Sequence, residues 1–105
     1  MNEISVTELK RRHDAGEDLV LVDVREPDEI ATVSIPWATY LPMGEIPQRY
    51  GELPHDKPVV VMCHGGGRSS RVTQFLAQNG YDNAVNLAGG IDAWAEQIDP
   101  SLPRY

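Results

Sequence analysis

The segment PVVVMCHGGGRSS (residues 58–70) indicates the fold class and contains the only cysteine of the chain, Cys63. The apolar run after Pro58 predicts a strand that is buried on both faces, as strands of parallel sheets are. Three glycines then predict a turn, and Ser69 or Ser70 predicts the cap of a helix that runs to about Asn79. A strand followed directly by a helix indicates α/β architecture, because parallel strands need crossover connections.

The rest of the sequence repeats this alternation of apolar runs and helical stretches. Ser5 and Glu8 form a predicted capping box, in which each side chain satisfies a backbone N–H group of the other residue. The further predicted strands lie at 19–24, 39–41 and 84–87. The further predicted helices lie at 5–15, at a short stretch opening with Pro27, and at 90–97, whereas residues 43–52 form short helix or loop. No repeat or linker divides the sequence, so residues 1–105 are expected to form a single domain.

Composition argues against several classes of partner. The net charge is −7, from 16 acidic and 9 basic residues, which disfavours nucleic acids and anionic membranes. No apolar run approaches the roughly 20 residues of a membrane span, and the N-terminal sequence lacks the apolar core of a signal peptide. The expected location is therefore the cytoplasm. One cysteine and three scattered histidines (His13, His55 and His64) lack zinc-site spacing, so no metal site is expected.

The single cysteine, Cys63, is expected at the carboxyl end of a central strand, where α/β sheets bind their ligands. The residues expected to surround it are His64, Gly65, Gly66, Gly67, Arg68 and Ser69, which we call the cradle. Backbone amides of a glycine loop, the positive end of a helix and the Arg68 guanidinium all stabilise a thiolate. They would lower the pKa of Cys63 from about 8.5 toward roughly 3.5–7.5. The pattern indicates a nucleophile in an anion-binding loop rather than an inert core thiol.

The spacing between Cys63 and Arg68 bears on the size of the bound group. Four residues separate the two, which gives the pattern C-x4-R. Cysteine phosphatases carry a loop that is one residue longer, which encloses a tetrahedral phosphoryl group. The shorter loop suits a single additional sulfur on the cysteine better than a phosphate.

Four blocks of the sequence together resemble the single-domain rhodanese-like sulfurtransferases. They occur in the family's order over nearly the whole chain: DVREPDE (Asp23–Glu29), IPWA with LP (Ile35–Ala38 and Leu41-Pro42), CHGGGRS (Cys63–Ser69) and LAGGIDAW (Leu87–Trp94). The family usually has Gly-His where Val33-Ser34 stand and Gly where Trp37 stands. These departures affect a segment beside the site and leave the cysteine loop intact.

The resemblance implies a three-layer α/β fold, with a central parallel five-stranded sheet and helices on both faces. It also implies sulfur transfer through a Cys63 persulfide, without a cofactor. The implied donor is a small anion such as thiosulfate, and the implied acceptor is a thiol, a protein or, in the test tube, cyanide. Two other functions stay open: a persulfide relay that serves a partner protein, and a phosphatase or arsenate-type enzyme, which the spacing disfavours.

Several residues near the site have weaker assignments. Asp23 and Arg25 follow an apolar strand at the same sheet edge and are interpreted as structural support for the cradle, with Arg25 paired to Glu29. His64 is expected to face solvent. Arg71, one helical turn beyond Arg68, either steers anions or is simply solvated.

Overall fold

The computed structural model describes residues 2–105 and contains one sheet of five parallel strands. The strands are β1 (Glu3–Ile4), β2 (Val20–Asp23), β3 (Thr39–Tyr40), β4 (Val59–Met62) and β5 (Ala84–Leu87). Their order across the sheet is β1-β5-β4-β2-β3. All pairings are parallel, and β4 lies at the centre between β2 and β5. The predicted fold class, with a central five-stranded parallel sheet, is confirmed.

Within residues 2–105, four α-helices connect these strands and a fifth follows β5. They are α1 (Val6–Asp14), α2 (Pro27–Thr32), α3 (Ile46–Arg49), α4 (Gly67–Gln78) and α5 (Gly90–Gln97). Two 3₁₀ turns, Met43–Glu45 and Tyr50–Glu52, flank α3. No helix within residues 2–105 is long and apolar enough to cross a membrane.

The sheet is covered on both faces because side chains alternate along each buried strand. All four residues of β4 are inaccessible to solvent. Val59 and Val61 join one core with Leu76 of α4, whereas Val60 and Met62 join a second core. That second core contains Leu9 of α1 and Trp94 of α5, among others. The result is three layers, and Cys63 continues the series of β4 residues that faces α4.

Element boundaries agree with the sequence patterns where apolar runs are strong. The predicted ranges of β4, β5 and α5 match the observed ones, and β1 was missed because its two residues, Glu3 and Ile4, form no apolar run. The predicted serine cap of α4 is wrong. The helix begins at Gly67, and Gly66, with φ of +113°, precedes it. Ser69 therefore lies inside the first turn of α4 and is fully buried.

The predicted capping box of α1 is half correct. Ser5 Oγ accepts a hydrogen bond from the Glu8 backbone N–H at 3.1 Å. The Glu8 carboxylate instead pairs with the guanidinium groups of Arg11 and Arg12. The Glu8 carboxylate binds these two cations rather than the Ser5 backbone N–H, because charge-assisted hydrogen bonds are stronger than those to a neutral amide.

Candidate active site

The cradle lies at the carboxyl edge of the two central strands. Asp23, the last residue of β2, pairs in register with Met62, the last residue of β4. The Val24 amide then donates to the Met62 carbonyl at 3.0 Å, so the chain segments leaving both strands stay side by side. Cys63 follows Met62 and is 1% exposed. Its position at this edge is the one predicted from the sequence.

The Cys63 sulfur is surrounded by hydrogen-bond donors of the cradle. Cys63 Sγ accepts from the Gly66 backbone N–H at 3.1 Å and from Ser69 Oγ at 3.3 Å. Burial raises the pKa of the Cys63 thiol, since it removes water from the charged form. Hydrogen bonds from the Ser69 hydroxyl and from the amides of Ser69, Gly66 and Arg68 outweigh burial, and the pKa lies below its ordinary value. The site therefore favours a thiolate.

Only one of the three cradle glycines needs a glycine conformation. Gly66 has a positive φ, whereas Gly65 and Gly67 do not. A Cβ on Gly66 would lie 3.5 Å from the Gly89 backbone nitrogen and 3.9 Å from Asn86 Nδ2, in ordinary contact. Of the three glycines that were expected to turn the loop, only Gly66 does so with a positive φ. Its own backbone amide donates to the Cys63 sulfur.

The Gly89-Gly90 turn explains how the cradle keeps its shape. The amides of Ile91 and Asp92, at the start of α5, donate to the carbonyls of Cys63 and His64 at 2.9 and 3.1 Å. These two carbonyls are therefore satisfied by α5. Gly90 has φ of +58°, and any Cβ on it would collide with both carbonyl oxygens. The close approach of α5 to the cradle requires glycine at this position.

We expect Gly90→Ala to destabilise the protein by roughly 2–4 kcal/mol and to lower Cys63 reactivity, because α5 must move away from the carbonyls. Gly16→Ala is the matched control. Gly16 also has a positive φ, of +75°, but a Cβ added to it would meet no atom within 4 Å. Urea unfolding and the rate of thiol alkylation check both effects. Equal losses in the two variants would show that backbone strain alone, and not the contact with the cradle, explains the role of Gly90.

Asp23 and Arg25 form a buried ion pair beneath this edge. Arg25 Nη2 lies 2.7 Å from Asp23 Oδ2, and Arg25 Nε donates to Asp23 Oδ1 at 2.9 Å. The Arg25 side chain is 0% exposed and also donates to the Val33 carbonyl at 2.8 Å. The proposed pairing of Arg25 with the Glu29 carboxylate is wrong. Arg25 reaches only the Glu29 backbone carbonyl, at 3.4 Å, because Asp23 engages its guanidinium.

The Glu29 carboxylate is instead bound by Arg68. Arg68 Nη1 and Nη2 lie 2.6 and 2.9 Å from the two Glu29 carboxylate oxygens. Tyr105 donates its hydroxyl to Glu29 Oε2 at 2.7 Å and accepts from Arg25 Nη1 at 2.8 Å. The Arg68 guanidinium, which the sequence analysis expected to stabilise the Cys63 thiolate, is therefore held by a carboxylate of the chain itself.

Sequence reasoning did not find Glu29 or Tyr105 as site residues. Glu29 was interpreted as a partner of Arg25, and its pairing with Arg68, which is 39 positions away, was not expected. Tyr105 is 76 positions from Glu29 and carries no motif. One feature of the sequence could have indicated Glu29: it is the last residue of the block DVREPDE, which resembles the family.

The prediction that His64 faces solvent is met only in part, since the His64 side chain is 34% exposed. Its ring stacks on that of Tyr105, with centroids 4.2 Å apart, and its Nε2 lies 3.9 Å from Asp92 Oδ1. Trp37, one of the departures from the family pattern, stacks on His13 at 3.9 Å and meets Trp94 edge-on at 6.0 Å. Arg71 is exposed, which agrees with the interpretation of Arg71 as a solvated helix residue.

The structure thus places a buried cysteine in an amide-lined loop, at the carboxyl edge of a parallel sheet in a three-layer α/β domain. This arrangement fits a cysteine nucleophile. In a comparison with protein families, the family described as the rhodanese-like domain matches residues 5–97 of this chain. The chain belongs to the rhodanese-like family, and the resemblance carried by its four motifs is confirmed.

Individual relatives agree with this assignment. A protein of Allochromatium vinosum named sulfurtransferase is 47% identical over 95 residues, which cover 90% of this chain and 89% of the relative. The Bacillus subtilis protein YrkF, named a putative sulfur carrier protein, is 32% identical over 97 residues, which cover 92% of this chain and 52% of YrkF. The crystal structure of a rhodanese-like domain protein from Staphylococcus aureus superimposes with a TM-score of 0.86 at 35% identity, covering 100% of this chain and 99% of that one.

Proposed function

We propose that the protein is a sulfurtransferase that moves a sulfane sulfur from thiosulfate or a related donor to a thiol or cyanide through a persulfide on Cys63. The observation that carries this proposal is the Cys63 sulfur itself. It is buried, has a lowered pKa, and accepts hydrogen bonds from Gly66 and Ser69. A stabilised thiolate inside a ring of donors can attack a sulfur and then hold the transferred atom.

In the first half-reaction, the Cys63 thiolate attacks the outer sulfur of the donor. A new S–S bond forms at Cys63, while the old S–S bond breaks and its electron pair leaves with sulfite, when thiosulfate is the donor. Two negative charges leave with sulfite and one remains on the persulfide, so charge is conserved. The amides of the cradle, residues 64–69, would stabilise the terminal sulfur of that persulfide.

In the second half-reaction, an acceptor nucleophile attacks the terminal sulfur of the persulfide. Cyanide leaves as thiocyanate, or a thiolate leaves as its own persulfide, and the electron pair of the broken bond restores the Cys63 thiolate. Asp23 and Arg25 are paired with each other at the neighbouring strand end and have no assigned part in these steps. The chemistry needs a reduced thiol, which fits a cytoplasmic location.

A persulfide relay for a partner protein is the second candidate. The relative named as a putative sulfur carrier protein favours it. The two candidates share Cys63 and the cradle and differ in which donor and acceptor give the higher kcat/KM. Phosphatase or arsenate-type activity is the third candidate, and the short loop between Cys63 and Arg68 weighs against it.

Steady-state kinetics test the proposed enzyme. With donor and acceptor varied, the double-reciprocal plots should give parallel lines, since the donor product leaves before the acceptor reacts. Intersecting lines would contradict a free persulfide intermediate. A Cys63-dependent phosphatase activity that exceeds sulfur transfer would replace the proposal by the third candidate.

The Ser69 hydroxyl should control the pH dependence of the first half-reaction. Its hydrogen bond lowers the pKa of Cys63, so thiolate is present above that lowered pKa and is lost as pH falls through it. In Ser69→Ala, the pKa of Cys63 should rise, and the midpoint of the alkylation rate against pH should move to higher pH. Ser101→Ala removes an exposed hydroxyl that bonds to Asp99, and it should leave the midpoint unchanged. A midpoint in Ser69→Ala equal to that of the unmodified protein would contradict this role.

A further inference from the structure

The charges at the rim of the cradle are paired within the chain. All Lys and Arg side chains in residues 2–105 form a salt bridge to a carboxylate, except Arg71. Arg25 is committed to Asp23, and Arg68 is committed to Glu29. The two arginines of the family-like motifs thus leave no net positive charge at the rim. The whole chain carries a net charge of −7, which adds no attraction for an anion.

Glu29 is held too firmly to release Arg68 easily. Its carboxylate accepts from Arg68 through two nitrogens, from the Tyr105 hydroxyl at 2.7 Å, and from the Glu26 backbone N–H at 3.0 Å. The Glu29 side chain is 15% exposed. The Arg68 side-chain hydrogen bonds, more than any other cause, hold the pKa of Glu29 far below its usual range, so the carboxylate is charged throughout the neutral range.

The donor groups left for a substrate are the backbone amides of the cradle and the positive end of α4. These are partial charges, equivalent to about half an elementary charge at a helix N-terminus. They suit the single charge that a thiolate or persulfide carries. Thiosulfate brings two negative charges to the same place, and no unpaired guanidinium within the cradle offsets the second one.

We propose that Glu29 is a specificity-determining residue of this site. It binds Nη1 and Nη2 of Arg68, so that this guanidinium is not available to bind an anionic donor. The site therefore favours donors with little charge, such as alkyl persulfides, over thiosulfate. This inference rests on the proposed persulfide chemistry and narrows its donor. The step stays balanced, because the thiolate of Cys63 forms the new S–S bond while the donor's carbon-bound sulfur leaves as a thiolate. Glu29 acts through Arg68 and is a positioning residue.

The test compares kcat/KM for thiosulfate, which carries two negative charges, with kcat/KM for an alkyl persulfide, which carries at most one. Glu29→Gln keeps the side-chain shape and removes the charge that holds Arg68. We expect the ratio of thiosulfate to alkyl persulfide to rise about tenfold, since an unpaired guanidinium can then form charge-assisted hydrogen bonds to the sulfonate oxygens. Glu52→Gln is the matched control: Glu52 also pairs with two nitrogens of one arginine, Nε and Nη2 of Arg49, at 2.9 and 3.1 Å, on an exposed surface. Its ratio should stay within about twofold of the unmodified protein.

A second variant keeps the proposal testable if Glu29→Gln folds poorly. Replacing both Glu29 and Arg68 by glutamine leaves the net charge unchanged, and the donor ratio should stay within about twofold of the unmodified protein. A large fall in thiosulfate use in this double variant would show that Arg68 already binds the anion, and it would overturn the inference. Two other results would also overturn it. One is an unchanged donor ratio in folded Glu29→Gln, and the other is the loss of thiosulfate use in Arg71→Ala.

The failure of this inference differs from the failure of the proposed function. If Cys63 takes up sulfur from either donor but the ratio does not respond to Glu29, only the role of Glu29 is wrong. If Cys63 takes up sulfur from neither donor, the persulfide chemistry itself is wrong, and the inference falls with it.

Discussion

We expect Cys63→Ser to abolish sulfur transfer, with kcat/KM for any donor falling at least about a thousandfold, to the uncatalysed background. A serine hydroxyl stays protonated in the neutral range and cannot form a persulfide, so the first half-reaction has no product. Cys63 is the only cysteine in the chain, and no other thiol can replace it. Thiocyanate formation from thiosulfate and cyanide, and thiol persulfidation from an alkyl persulfide, measure the loss.

The substitution should leave the fold intact. Serine is close to cysteine in size, and Gly66 and Ser69 can still donate hydrogen bonds to its oxygen. The free energy of unfolding should fall by no more than about 1–2 kcal/mol. Urea unfolding accompanies the assay, so that lost activity is distinguished from lost structure. A folded Cys63→Ser variant that retains transfer would remove Cys63 from the mechanism.

The second large effect is expected for stability. Asp23→Asn should lower the free energy of unfolding by about 3–5 kcal/mol, because it leaves the Arg25 guanidinium buried without its counter-charge. Arg25 is 0% exposed and sends three of its side-chain hydrogen bonds to Asp23. Equilibrium urea unfolding checks the effect, and alkylation of Cys63 in the folded fraction tests whether the cradle keeps its reactivity.

An exposed ion pair provides the comparison for Asp23. Lys57 Nζ lies 3.2 Å from Asp18 Oδ1, and the Asp18 side chain is 81% exposed. Asp18→Asn removes the same charge and should cost less than about 1 kcal/mol, since exposed pairs contribute little. If the two variants were equally stable, the buried pair would not support this edge of the sheet.

The sequence was sufficient for those parts of the fold that depend on local patterns. The strand β4 could be placed to the residue because four consecutive apolar side chains are enclosed on both faces. The first turn of α4 was misplaced, because Gly66 ends the loop with a positive φ and no side-chain cap is used. The hydroxyl of Ser69 donates to the Cys63 sulfur instead of capping the helix.

The position of Cys63 and its loop was predictable, whereas the pairing of charges at the rim was not. Cys63 and the cradle are contiguous in sequence, so their order alone placed them at a sheet edge. The pairing of Arg68 with Glu29 and the contact of Tyr105 with both Glu29 and Arg25 join residues that are far apart in the chain. Such pairs depend on how α2, α4 and the C-terminal residues meet in three dimensions, and they changed the assigned role of Arg68.

Intact mass spectrometry of the reduced protein tests the central claim most directly. The protein is measured alone, after incubation with thiosulfate or an alkyl persulfide, and again after cyanide. We expect a gain of one sulfur atom from at least one donor, its removal by cyanide, and no gain in Cys63→Ser. The absence of any gain from both donors, in protein whose Cys63 is shown to be free by alkylation, would contradict a Cys63 persulfide and with it the proposed sulfurtransferase.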